Sequence, residues 1–312
     1  MGFRRLRPKK IVTARSNGEP GPPPQERRHA EVQRSPWLNM FVDLPHSNDR
    51  TCIMELSFHG EHIGSLLRPA ALQKAQARAA ANEISPNELL QAEHDAISYI
   101  VSRQLELGIR SISSGEYDRS VYFGGFFEKL EGFKEVTDPP WDHYRLSAPP
   151  IAMLKKAGLK FPMTVICTGK IRYTKSPYLE QWKYLRSCVP RELWGDCKFT
   201  IPPAPFFHLR LAPGKVYSKD AYTNDEDFFA DLAAAYQKEF KTLHDEGLKN
   251  IQIDDPTLAY FCSQEMLEGL RKEGVDPDKL FDQYLKAHND CLKGRPKSLQ
   301  VGLHICRGKS AS

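Results

Sequence analysis

No stretch of the 312-residue chain approaches the roughly 18 uninterrupted apolar positions that a membrane helix needs. The start also lacks the apolar core of a secretion signal. Both absences point to a cytoplasmic protein. The arginine-rich first eighteen residues allow a mitochondrial presequence as the rival, which the prolines nearby disfavour. Cysteine is sparse: seven residues (52, 167, 188, 197, 262, 291 and 306), odd in number and without a CxxC pair, exclude a disulfide framework. Basic charge is missing from the body of the chain. Residues 1 to 35 hold nine Lys or Arg against three Glu, a net of +6, so the remainder carries −1 of the chain's +5. A near-neutral body without a clustered basic face excludes a nucleic-acid reader.

What is present is an ordinary globular composition, 40% apolar and 27% charged, enough for a sizeable core. Residues 1–48 read as a basic, Pro-rich, disordered tail containing Pro22-Pro23-Pro24. Residues 49–312 alternate β-rich runs with longer helical patterns, the signature of a parallel α/β architecture. Strands are expected at Cys52–Phe58, Arg110–Ser114, Met163–Thr168, Cys197–Ile201, Asn250–Asp254 and Leu299–His304. Helices are expected at Asn87–Leu107, Glu226–Glu246 and Asp278–Lys293, where apolar residues recur at three and four; Gly108 and Gly247 mark two of their ends. No glycine-rich phosphate fingerprint follows the first run, so a (β/α)8 barrel of the TIM type fits better than an open doubly wound sheet, with about six of its eight strands present. Segment 118–162 reads as a long insertion.

Four segments carry chemistry. In Leu303-His304-Ile305-Cys306 the spacing of two puts His304 and Cys306 on one strand face, where an imidazole and a thiolate suit zinc. Alone the pair fits a capped histidine beside a buried cysteine better than a zinc site, since zinc takes three or four ligands. In Ile251-Gln252-Ile253-Asp254-Asp255-Pro256, Gln252 and Asp254 share a face; Asp254 can hold a substrate ammonium or cap, while Asp255 points away. Glu116 and Arg119 can meet as a pair, functional or merely a surface ion pair. In His59-Gly60-Glu61-His62-Ile63-Gly64-Ser65, Gly64 permits close backbone approach and Ser65 offers a hydroxyl and an amide; HGEH is not the HExxH metal motif.

In this order and at these intervals the segments resemble the carboxyl-terminal catalytic barrel of cobalamin-independent methionine synthase and its short single-barrel relatives. The likeness runs over about residues 50 to 308. It includes His62-Ile63-Gly64-Ser65, Gly115-Glu116 with Tyr122-Phe123-Gly124 and Leu130-Glu131-Gly132-Phe133, Gln181-Trp182-Lys183-Tyr184, Ile253-Asp254-Asp255-Pro256 with Asp255 where the family has Glu, and His304-Ile305-Cys306. The resemblance implies zinc-dependent methyl transfer from a methylated folate to the thiol of homocysteine, with another thiol acceptor or an inactive binding barrel as alternatives. It implies that Ser65, Glu116 and Asp254 hold the amino-acid part of homocysteine, with the Ile63-Gly64-Ser65 backbone near its carboxylate. His304 and Cys306 become zinc ligands. The partners implied are small molecules, with neither nucleic acid nor membrane. The family's later Glu and Cys ligands and its general-acid histidine have no counterpart before Ser312. The expectation is therefore a truncated chain with an incomplete zinc site and an open barrel of apolar interior.

Overall fold

The computed structural model describes residues 61–159, 161 and 163–306. The expected strand Cys52–Phe58, the tail at 1–48 and His59 lie outside them. The fold is α/β. Helices α1 (Ala70–Ala80) and α2 (Pro86–Glu106) come first, followed by β1 (Glu131–Thr137), α3 (Pro149–Lys156), β2 (Met163–Arg172) and α4 (Leu179–Ser187). Then come β3 (Lys198–Ile201), α5 (Phe206–Arg210), α6 (Asp225–Asp245), β4 (Asn250–Asp254), α7 (Thr257–Tyr260), α8 (Gln264–Lys272), α9 (Pro277–Leu292) and β5 (Gln300–His304). No described helix is long and apolar enough to cross a membrane.

Local chemistry sets the long helices. Ser85 and Glu88 close a capping box at the start of α2, with Pro86 in its first turn. Asn224 caps α6, whose first turn holds Asp225, Glu226 and Asp227 against the helix dipole. Asp276 accepts from two backbone amides at the start of α9. Helix α6 ends at Gly247, whose φ of +95° lies in the left-handed region and whose missing Cβ leaves room for the Trp194 ring 3.0 Å away.

Strands β3, β4 and β5 form one parallel sheet in that order, joined through α6 and through α7 to α9. The register runs Lys198, Asn250, Gln300; Phe199, Ile251, Val301; Thr200, Gln252, Gly302; Ile201, Ile253, Leu303; and finally Asp254 with His304. The expected strand Arg110–Ser114 is present only as a parallel bridge of Ile112 to Cys197, beside β3. Because side chains alternate across a strand, one face of β3 and β4 carries Phe199, Ile201, Ile251 and Ile253, all in the core with Leu232, Tyr236 and Tyr284. The other face carries Lys198, Thr200, Asn250, Gln252 and Asp254. It is polar, which corrects the expectation of an apolar interior.

The run Met163–Thr168 does not join the parallel set. β2 pairs antiparallel with β1, from Thr137 opposite Met163 to Phe133 opposite Cys167. The two form a separate two-stranded sheet. Of the six expected parallel strands the described residues thus show three, with Ile112 bridging beside them, and Met163–Thr168 leaves the set because its partner comes from within the insertion.

Candidate active site at the carboxyl ends of the parallel strands

Two loops meet over the polar face, 61–69 and 113–119. Leu66 donates its amide to the Gly115 carbonyl at 3.1 Å, and the Tyr117 hydroxyl donates to the Leu67 carbonyl at 2.8 Å. Arg68 donates to the carbonyls of Glu116 (3.1 Å) and Arg119 (2.7 Å). The 113–119 loop turns tightly: Gly115 and Glu116 both have positive φ, +64° and +59°. For Glu116 that is an uncommon conformation. It is held from behind by Arg68 and from within by Ser114 Oγ, which accepts the Glu116 amide at 3.2 Å.

The turn delivers the Glu116 carboxylate to the polar face, 3% exposed. Thr200 Oγ1 donates to Oε1 at 2.7 Å, and Ser65 Oγ donates to Oε2. Arg119 donates through Nη1 to Thr200 Oγ1 and to the Tyr122 carbonyl, both at 3.3 Å, and its guanidinium lies over the Tyr178 ring at 4.6 Å. Glu116 and Arg119 are thus joined through Thr200, both buried, rather than as a surface ion pair. A Cβ at Gly64 would stand 2.5 Å from Glu116 Oε1 and 3.0 Å from Thr200 Cγ2, so a glycine is what lets this loop approach the carboxylate.

Asp254 ends β4 and is 6% exposed. Gln252 Nε2 donates to Asp254 Oδ1 at 2.5 Å and to the Ile63 carbonyl at 2.9 Å, tying the strand to the Ile63-Gly64-Ser65 loop. Burial pushes the Asp254 carboxyl up to about 7; the Gln252 hydrogen bond opposes the shift, the Glu116 charge adds to it, and Arg119 and Lys198 pull back. Asp255 faces away and is fully buried. Its Oδ1 accepts from the Thr257 amide at 2.6 Å, its Oδ2 bonds His288 Nε2 at 2.7 Å, and its own amide donates to the His304 carbonyl at 2.8 Å.

A cavity of about 620 Å³ opens on the same face, bounded by His62, Ile63, Lys198, Gln252, Gly302 and His304. Ser65, Glu116 and Asp254 are not part of its lining; Asp254 lies two residues further along β4 than Gln252. Lys198 donates to Glu61 Oε1 at 3.0 Å and to the His62 carbonyl at 2.5 Å. His62 Nε2 bonds Gln104 Oε1 at 2.7 Å, a packing role for the one histidine of the HGEH segment within the described residues.

His304 pairs in register with Asp254, and Cys306 follows two residues on; both are half-buried. Zinc takes three or four donors. Among the described residues no group of three or more His, Cys, Asp or Glu is arranged to hold a metal, so His304 and Cys306 alone do not make a zinc site. Sequence reasoning missed Thr200, Arg68 and Lys198. The alternation within Cys197–Ile201 was the available signal, since it sets Lys198 and Thr200 on the face of Gln252.

No protein-family model matches the chain. The uncharacterized protein YxjG of Bacillus subtilis is 33% identical over 258 residues, which are 82% of this chain and 63% of that protein. A methionine synthase of Sulfolobus acidocaldarius is 27% identical over 249 residues, 79% of this chain and 60% of that one. The crystal structure of a Listeria monocytogenes protein assigned as a vitamin-B12-independent methionine synthase superposes with a TM-score of 0.60 at 29% identity, over 80% of this chain and 66% of that one. The chain thus spans under two thirds of the length of the curated relatives it matches. In sequence it is similar to a methionine synthase, and in sequence and fold to a protein assigned as a vitamin-B12-independent one.

Proposed function

We propose that this site binds the amino-acid part of homocysteine for methyl transfer to its thiol, forming methionine. The observation that supports the reading best is the convergence of two buried carboxylates, Glu116 and Asp254, with Ser65 on the Gly64 loop. Burial and the Glu116 charge raise the Asp254 carboxyl to about 7 against the pull of Arg119 and Lys198, and a substrate ammonium beside it favours its ionised form. The amides of Ile63-Gly64-Ser65 offer donors to the α-carboxylate. In the reaction the homocysteine thiol gives up its proton and its sulfur forms a bond to the methyl carbon. The bond from that carbon to nitrogen of a methylated folate breaks, and the nitrogen takes the electron pair and a proton.

A free thiol, with a pKa near 8.5, is mostly protonated at neutral pH, so the proton must be taken up. In the family a zinc ion would hold the thiol as thiolate, its proton leaving to solvent. Here His304 and Cys306 provide only two donors among the described residues. That same shortfall favours a second reading, a barrel that binds homocysteine without transferring a methyl group.

The test combines calorimetric titration with homocysteine and an assay for labelled methionine from 5-methyltetrahydrofolate, simple and polyglutamylated. Saturable binding with labelled product is expected. Binding without product from either donor selects the second reading, and absence of binding removes both. Elemental analysis after gel filtration in metal-free buffer is expected to find well under one zinc per chain. A full equivalent would mean that further donors complete the pair.

A further inference from the structure

Arg119 stands three residues after Glu116, yet it makes no bond to the Glu116 carboxylate. Both side-chain hydrogen bonds that it makes among the described residues go to neutral oxygens, Thr200 Oγ1 and the Tyr122 carbonyl, each at 3.3 Å. Aromatic rings fix its place: the guanidinium lies 4.6 Å from the centre of the Tyr178 ring and 5.1 Å from that of Phe199. Tyr178 is itself anchored, its hydroxyl donating to the Gly124 carbonyl at 2.9 Å and its amide to Glu239 Oε1 at 3.0 Å. Arg119 and Thr200 are 5% and 4% exposed, so their mutual bond is made away from bulk water.

The bonds can run in one direction only. A guanidinium donates and never accepts, so Thr200 Oγ1 is the acceptor of Arg119. A threonine hydroxyl has a single proton, which is left for Glu116 Oε1, 2.7 Å away. Ser65 Oγ donates to the other oxygen, Oε2. An ionised carboxylate offers about four acceptor sites, two on each oxygen, so about one per oxygen is left for a ligand. An arginine bound directly in two-pronged fashion would take both oxygens and engage their charge itself. With Thr200 interposed, the cation stays close while the carboxylate keeps acceptor sites.

We propose that Thr200 and Arg119 are positioning residues for this site: Thr200 holds the Glu116 carboxylate in the orientation that leaves acceptor sites for a substrate ammonium, and Arg119 acts on Glu116 through Thr200. The effect on homocysteine rests on the homocysteine reading of the site; the relay from Arg119 to Glu116 does not.

The test uses Thr200→Val, which keeps the branched shape and removes the hydroxyl, and Thr200→Ser, which keeps the hydroxyl. Thr200→Ala serves in the same comparison should Thr200→Val not fold. Calorimetry with homocysteine runs beside thermal melting, and crystal structures of wild type and Thr200→Val report where the Glu116 carboxylate sits. Thr200→Val is expected to show that carboxylate turned out of its place and to bind homocysteine about tenfold more weakly, with Thr200→Ser within about threefold of wild type. Arg119→Lys is expected to weaken homocysteine several-fold in the wild-type background and hardly at all in the Thr200→Val background. A carboxylate that keeps its place in the folded variant without the hydroxyl overturns the role of Thr200, as does a Thr200→Ser that binds no better than Thr200→Val. Equal losses from Arg119→Lys in both backgrounds overturn the role of Arg119. If wild type binds no homocysteine while the carboxylate still moves in Thr200→Val, the relay stands and the homocysteine reading falls.

Discussion

On one face of β3 and β4, Phe199, Ile201, Ile251 and Ile253 are at most 3% exposed. On the other, the alternate positions are Lys198, Thr200, Asn250, Gln252 and Asp254, every one able to hydrogen-bond. The two faces come from the same nine residues of chain, so a parallel strand here serves two masters whose demands do not compete. The apolar face fixes the sheet against its helices by burial alone. The polar face is then free to hold groups that would destabilise a core, because Thr200, Gln252 and Ser65 give its carboxylates partners.

This separation can be broken from either side. The largest effect is expected from Ile253→Ala, which should cost about 2–5 kcal/mol of stability in a chemical denaturation curve. Homocysteine affinity of the remaining folded protein should hardly move; a matching loss of affinity would show that the faces are not independent. On the other side, Glu116→Ala or Asp254→Ala should weaken homocysteine by well over tenfold in calorimetry, since each strips the ammonium of a buried counter-charge. Unchanged affinity would remove both residues from the site.

Gly64→Ala should come next. The new Cβ displaces the Glu116 carboxylate rather than the backbone, so affinity should fall several-fold while the melting temperature stays close to wild type. A large drop in melting temperature with intact affinity would make Gly64 a folding glycine.

A graded effect is expected with pH. With the Asp254 carboxyl at about 7, its charge is present above that pH and lost below it. Homocysteine affinity should therefore rise about tenfold between pH 6 and pH 8. Stability of the ligand-free protein should move the other way: a carboxyl raised above its unfolded value of about 3.9 favours the folded state when protonated, so its contribution is lost as pH rises from about 4 to 7. Asp254→Asn should flatten both profiles.

Much of this was legible in advance, for physical reasons. Helices α2, α6 and α9 fall within about a residue of their expected ranges, because the period of apolar residues and the caps agree there. Three of the parallel strands were read from β-rich runs. Met163–Thr168 was not placed correctly, since a run of alternating residues says that a strand exists and nothing about which strand it joins. Ser65, Glu116 and Asp254 are tied into one hydrogen-bonded neighbourhood, Ser65 and Glu116 directly and Asp254 through Gln252 and Ile63, and all three were named from motif and position. Thr200 escaped notice because a threonine in a strand is ordinary; only the register, which sets it beside Gln252, makes it the hinge between Arg119 and Glu116.

Asp254 and Asp255 are consecutive, yet one lies on the polar face with Gln252 and the other is bolted to His288 on α9 and, through its amide, to the end of β5. A single peptide unit therefore separates a recognition group from a structural anchor. The position of Asp254 is thereby tied to the packing of α9 through the Asp255–His288 contact. If Asp254 holds the substrate as proposed, substitutions along α9 that shift His288 should alter its affinity without changing a residue on the polar face.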